Sequence, residues 1–133
     1  MVTLKDLDRW LIAPAETEQL EFKEARQQFD TDKLMRYCVA LANEGGGHLV
    51  LGVTNKPPRR VVGSQAYASI SEINHIKNRI TSTLKIRVEV VELAHSDGRV
   101  LVFCVSSRPL GLPLDYEGTY LMRAGESLAW QLR

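Results

Sequence analysis

The chain has 133 residues, 44% hydrophobic and 25% charged, enough for one globular core, and one domain over residues 1–133 is the default organisation. Lys and Arg number 17 against 16 Asp and Glu, so composition excludes a chain-wide polycation, and any basic surface must come from segregated charge. No apolar run approaches the roughly 18 residues of a bilayer span, and there is no signal-peptide pattern and no CxxC pair; a cytoplasmic protein with no membrane partner, no disulfide and no zinc is expected.

The first element is a short helix from an N-cap at Thr3, with apolar Leu4, Leu7, Leu11 and Ile12 on one side and Pro14 as its stop. Leu20-Glu-Phe-Lys23 then alternates as a strand does, which predicts Leu20 and Phe22 facing the core and Glu21 and Lys23 facing a surface. From Asp30 the spacing turns helical, with a wide apolar face from Leu34 to Ala42 that marks a central buried helix ending at Asn43-Glu44 and Gly45-Gly-Gly47. His48 to Val53 reads as a strand covered on both sides, and Arg60-Val-Val62, beyond a loop with Pro57-Pro58, reads as its hairpin or near-neighbour partner. Ser69-Ile-Ser-Glu72 has the form of a capping box, and Ile73, Ile76, Ile80 and Leu84 mark the helix that follows. Arg87–Val90 and Arg99–Val105 flank Asp97-Gly98 as an antiparallel hairpin; after a proline-rich bend at 108–113, Thr119–Arg123 forms a last strand before Ala124-Gly125. These elements predict an α+β (mixed α/β) fold, a single mostly antiparallel sheet of about five to six strands on two to three helices.

Several patterns bear on chemistry. Glu16-Thr-Glu-Gln-Leu-Glu21 brings carboxylates close enough to hold a divalent metal, although such groups at a strand start are commonly solvated or paired with a neighbour such as Lys23. The glycine triplet lies at a helix C-terminus, the wrong polarity for a phosphate cradle, and neither GxxxxGK[ST] nor GxGxxG occurs, so nucleotide cofactors have no support. His48, His75 and His95 show no metal spacing, and no serine sits in a nucleophile elbow. Cys38 and Cys104, within apolar stretches, read as small buried hydrophobes. Basic residues at element ends or on polar faces, Arg59, Arg60, Lys77, Arg79, Lys85, Arg87, Arg108 and Arg123, could converge on a phosphate backbone or merely solubilise the chain.

Taken together, the acidic strand Glu16–Lys23, the helix end Ala40-Leu-Ala-Asn-Glu-Gly-Gly46, the strand Leu49-Val-Leu-Gly-Val53, Val62-Gly63 and the terminal Tyr120-Leu-Met-Arg-Ala-Gly125 resemble the Schlafen AlbA-like domain over about Glu16 to Ser127. The resemblance implies a DNA-binding module, commonly the N-terminal part of longer bacterial transcriptional regulators or helicase-like proteins, so C-terminal domains of a parent protein become expected partners. Some vertebrate members are endoribonucleases on structured RNA, using two glutamates of the acidic strand and an aspartate after the Gly-Val strand end. Glu16 and Glu21 match the glutamates, but Asn55 stands where the aspartate would be, which removes charge from a metal site and predicts weak or no metal-dependent cleavage.

The leading expectation is therefore a nucleic-acid-binding domain, DNA favoured over RNA, with phosphate contacts from Lys23, Arg59, Arg60, Lys77, Arg79 and Arg123, and with no cofactor. The alternative is a nuclease acting on RNA or single strands, with Glu16, Glu21 and Lys23 catalytic and Glu16, Glu21 and Asn55 holding Mg²⁺ or Mn²⁺. A third reading is a dimerisation or interaction module using a strand edge or the Trp10 and Trp130 termini; a homodimer, which would double a modest basic surface, is the expected assembly.

Overall fold

The structure is a computed structural model that describes residues 1–12, 19–109, 113–124 and 127–132, with the backbone alone from residue 119 onward. Helix α1 (Leu4–Leu11) opens on a reciprocal cap: the Thr3 hydroxyl accepts from the Asp6 N–H, while the Asp6 carboxylate accepts from the Thr3 N–H at 2.8 Å. Strand β1 (Leu20–Lys23) follows, then α2 (Thr31–Asn43), whose first turn is capped by Asp30 accepting from Lys33 N–H at 2.9 Å. Leu34, Met35 and Tyr37 through Ala42 are all buried, so α2 is the central helix that its apolar width predicts. The glycine turn leads into β2 (Gly47–Leu51), where a Cβ on Gly47 would fall 2.4 Å from the Gln19 carbonyl oxygen. Only glycine permits that approach, and it lets His48 N–H donate to the same carbonyl at 2.9 Å, setting β1 beside β2.

Helix α3 (Ile70–Leu84) begins at Ser69, whose hydroxyl accepts from Glu72 N–H at 3.1 Å; Glu72 reaches back to the N–H of Ala68, one residue before the cap. Strands β3 (Val88–His95) and β4 (Gly98–Val105) form the expected hairpin, one residue out of the expected phase: His95 pairs with Gly98, so the loop is Ser96-Asp97 and Gly98 is already strand. The pairing expected of Arg60-Val-Val62 shrinks to one bridge, Val53 with Val61. The reason is local: Val62 and Gly63 N–H groups both turn onto the Gly52 carbonyl, at 2.8 and 3.1 Å, and cannot extend a ladder.

The single sheet expected is two sheets. The first runs β1-β2-β4-β3 and is mixed, because β1 and β2 are joined through a helix and pair in parallel. The second is antiparallel, β5 (Asp115–Tyr116), β6 (Thr119–Ala124) and β7 (Ser127–Leu132), where only one final strand was expected. It docks on α2 rather than extending the first sheet. The Asn43 side chain holds the Leu114 backbone on both sides, donating to its carbonyl at 2.9 Å and accepting from its N–H at 2.7 Å. Arg36 pairs with Asp32 at 2.8 Å and Glu117 at 3.4 Å, its guanidinium 5.2 Å from the Tyr116 ring. Residues 110–112 of the proline-rich bend and Gly125 lie outside the described residues.

Two apolar clusters flank the first sheet. Leu34, Leu41, Leu49, Leu51, Ile80 and Phe103 fill the side under α2 and α3; Leu7, Phe22, Val50, Val100 and Val102 fill the side under α1. Coverage of both faces explains the unbroken apolar runs of β2 and β4. Among the described residues no helix is long and apolar enough to cross a membrane.

Candidate nucleic-acid interface

The acidic strand does not lie on a surface. Glu21 is 0% exposed, opposite Leu49 on the side under α2. A period of two distinguishes the faces of a strand without saying what covers each, and here helices cover both. The Glu21 carboxylate lies 3.5 Å from Lys23 Nζ, and that ammonium sits 4.9 Å from the centre of the Tyr37 ring. Desolvation works against the Lys23 charge, but contact with Tyr37 and then with Glu21 outweighs it and holds the pKa above the ordinary lysine value. Glu16 lies outside the described residues; among those described, no group of three or more His, Cys, Asp or Glu is placed to hold a metal ion. Burial pushes the Cys38 thiol up to about 12 and also raises Cys104, as suits thiols without nucleophilic character.

At the end of β2 the chain leaves the sheet through Gly52, whose φ of +105° and a distance of 2.7 Å from a would-be Cβ to the Arg99 carbonyl oxygen exclude a side chain. Gly52 N–H donates to the Lys23 carbonyl at 2.8 Å, which fastens the next loop to the end of β1. That loop, residues 54–60, is closed at its base from both sides. Thr54 N–H donates to the Arg60 carbonyl at 2.9 Å, and Arg60 N–H donates to the Thr54 hydroxyl at 2.8 Å. Beside it opens a cleft of about 600 Å³ lined by Glu24, Thr54, Asn55, Lys56, Pro58 and Arg60. Lys56 and Arg60 are exposed, whereas Glu24 is ion-paired with Arg26 at 3.1 Å.

The other expected cations whose side chains are described do not join them. Arg59 is turned inward, 6% exposed, its guanidinium 4.6 Å over the Phe22 ring. Lys23 faces α2. Lys77 is bound to Glu89 of β3 at 2.9 Å, at the sheet edge remote from β1. Arg79 is exposed on α3, beside Tyr67 and His75. Arg123 is on β6, where the backbone alone is described. Among those of the six whose side chains are described, only Arg60 stands at the loop cleft. Lys56, which the basic-residue pattern passes over, stands there instead; the signal was its place in Gly52-Val-Thr-Asn-Lys56, just beyond a covered strand. A second missed residue is Arg99, which donates to the carbonyls of Ser64, Ala66 and Tyr67 at 3.1, 2.7 and 2.8 Å while pairing with Glu92, and so pins the chain that returns from the loop.

The family profile described as Schlafen, AlbA_2 matches residues 16–129, which takes in β1, the 54–60 loop and most of the second sheet. The chain belongs to the Schlafen AlbA_2 family. Two solved structures illustrate how widely this AlbA_2 fold holds at low identity. The DIP2311 protein of Corynebacterium diphtheriae superposes with a TM-score of 0.69 at 20% identity over 96% of the chain. The N-terminal domain of an ATP-dependent DNA helicase RecG-related protein of Nitrosomonas europaea gives 0.59 at 24% identity, covering 96% of this chain and 92% of that one. The chain spans 26% of the length of the Corynebacterium protein. No curated protein sequence matches it.

Proposed function

We propose that this AlbA_2 chain is a nucleic-acid-binding domain that grips backbone phosphates through the 54–60 loop, with Lys56 and Arg60 as principal contacts. One observation carries the reading: two exposed cations stand at a cleft on a loop whose base is fixed by backbone bonds to β1 and across itself. Cations presented by a fixed loop lose little freedom on meeting a phosphate, and each neutralised phosphate releases counterions. Exposed Arg79, and Arg123 on β6, are auxiliary contacts in this reading, while Arg59 and Lys23 support the loop and β1 from within. Family membership supports nucleic acid as the partner class. The name of the Nitrosomonas neighbour, carried across as a proposal, favours DNA over RNA and a place ahead of the C-terminal domains of a helicase-like parent. The proposal further takes the parent to be a cytoplasmic regulator or helicase-like protein and the assembly to be a homodimer, which would double the basic surface.

A nuclease would need the Glu21 carboxylate to face a bound cation, whereas this buried carboxylate already faces the partly exposed Lys23 ammonium. We therefore read Glu21 as a structural member of β1, and Asn55 as a group with another role. Fluorescence anisotropy with labelled single- and double-stranded DNA and RNA tests the proposal: Lys56→Glu and Arg60→Glu should each weaken binding about tenfold, while Lys77→Glu should change it less than twofold. Equal effects at all three positions would overturn the assignment to the loop.

A further inference from the structure

Asn55 lines the loop cleft, yet its side-chain Oδ1 is shielded from solvent and has no hydrogen-bond partner among the described residues. Unmet buried acceptors are rare in folded proteins because the oxygen has given up water for nothing in return. The terminal amide torsion of asparagine is soft, so rotation about it can present this oxygen to a donor in the cleft. Around it stand the chemical groups that a nucleotide needs. Lys56, next in the chain, and Arg60, across the closed base of the loop, offer cations on either side; Pro58 gives an apolar surface for the flat face of a ring. The carboxylate in the lining, Glu24, is already paired with Arg26.

We infer that this cleft is a subsite for one unpaired nucleobase bearing an exocyclic amino group, which donates to Asn55 Oδ1 while the adjoining phosphates lie on Lys56 and Arg60. The inference rests on the phosphate-binding reading above and adds to it a preference for single strands and for particular bases. A recessed acceptor is reached by a donor that projects from its ring, as the amino groups of cytosine and adenine do. The N3–H of thymine or uracil lies between two carbonyl oxygens and does not project from the ring, so it reaches a recessed acceptor less readily. In a duplex the amino groups are engaged in pairing, so only an unpaired base offers one freely.

Labelled oligo(dC) and oligo(dT) of equal length are the probes, since they carry the same charge and ring size and differ at C4, where an amino group replaces a carbonyl, together with the N3 proton and 5-methyl of thymine; the Asn55 variants separate the amino group's part. Wild-type protein should bind oligo(dC) about tenfold more tightly by anisotropy. Asn55→Ala should lower oligo(dC) affinity to the oligo(dT) level, Asn55→Asp should keep part of the preference, and Lys56→Ala should weaken both probes alike. Salt-sensitive binding that is equal for the two probes overturns the base subsite and leaves the phosphate reading standing. A preference that survives Asn55→Ala overturns the assignment to Asn55, and no binding to either probe overturns both readings.

Discussion

Replacing Glu21 by alanine removes a wholly buried carboxylate whose partner, Lys23, keeps 20% of its side chain exposed at 3.5 Å. Breaking a buried ion pair costs about 3–5 kcal/mol, because the charge left behind has no compensation. Lys23 retains its Tyr37 contact and some access to water, which reduces the loss to about 2–3 kcal/mol. For a domain of this size that lowers Tm by roughly 10 °C. Glu21→Leu combined with Lys23→Met removes both charges and keeps the volume, and should return to within about 1 kcal/mol of the parent. Urea unfolding followed by circular dichroism on the parent, Glu21→Leu, Lys23→Met and the pair gives the coupling energy. A Glu21→Ala protein within about 0.5 kcal/mol of the parent, as for a solvated surface carboxylate, would refute the reasoning. The same experiment bears on nuclease assays, since lost activity in Glu21→Ala has to be separated from lost folding.

Three further outcomes follow from other contacts. Arg99→Ala gives up three backbone acceptors and the Glu92 pair, and should destabilise by about 2–4 kcal/mol in urea titration, with Arg99→Lys recovering little because one ammonium cannot span the fork. Asn43→Ala leaves both polar groups of Leu114 without their partner and should cost about 1–2 kcal/mol; hydrogen exchange should show β5 and β6 opening before the first sheet. Burial lowers the His48 pKa, with Asp6 opposing in part, so between the unfolded value near 6.5 and the lower folded value the unfolded chain binds the extra proton. Stability should therefore fall as pH drops through that window, and a Tm series from neutral to mildly acidic pH should be flatter for His48→Gln than for the parent.

Local signals were the legible part of the fold. Thr3 and Ser69 cap helices where the sequence suggests caps, α2 begins where the spacing turns helical at Asp30, and the β3–β4 hairpin differs by one residue because Gly98 enters the strand instead of completing the turn. What depended on three-dimensional cover was not legible. Glu21 alternates correctly with Phe22, yet no pattern within β1 announces that α2 lies over it. The second sheet escaped because β5 has only two residues and because its place is set by Asn43 and Arg36 on a distant helix. At the candidate site, Arg59 and Arg60 are neighbours in an irregular loop, where no period says which faces out; one stacks on Phe22 and the other stands at the cleft.

The central claim is that Lys56 and Arg60 neutralise phosphates, and the salt dependence of binding measures this most directly. Affinity for duplex DNA, followed by anisotropy across a range of salt, should fall linearly on logarithmic axes. The slope for Lys56→Ala combined with Arg60→Ala should be shallower by about 1.8, two phosphate contacts at about 0.9 each. Parallel lines for the two proteins, or binding insensitive to salt, would contradict the account.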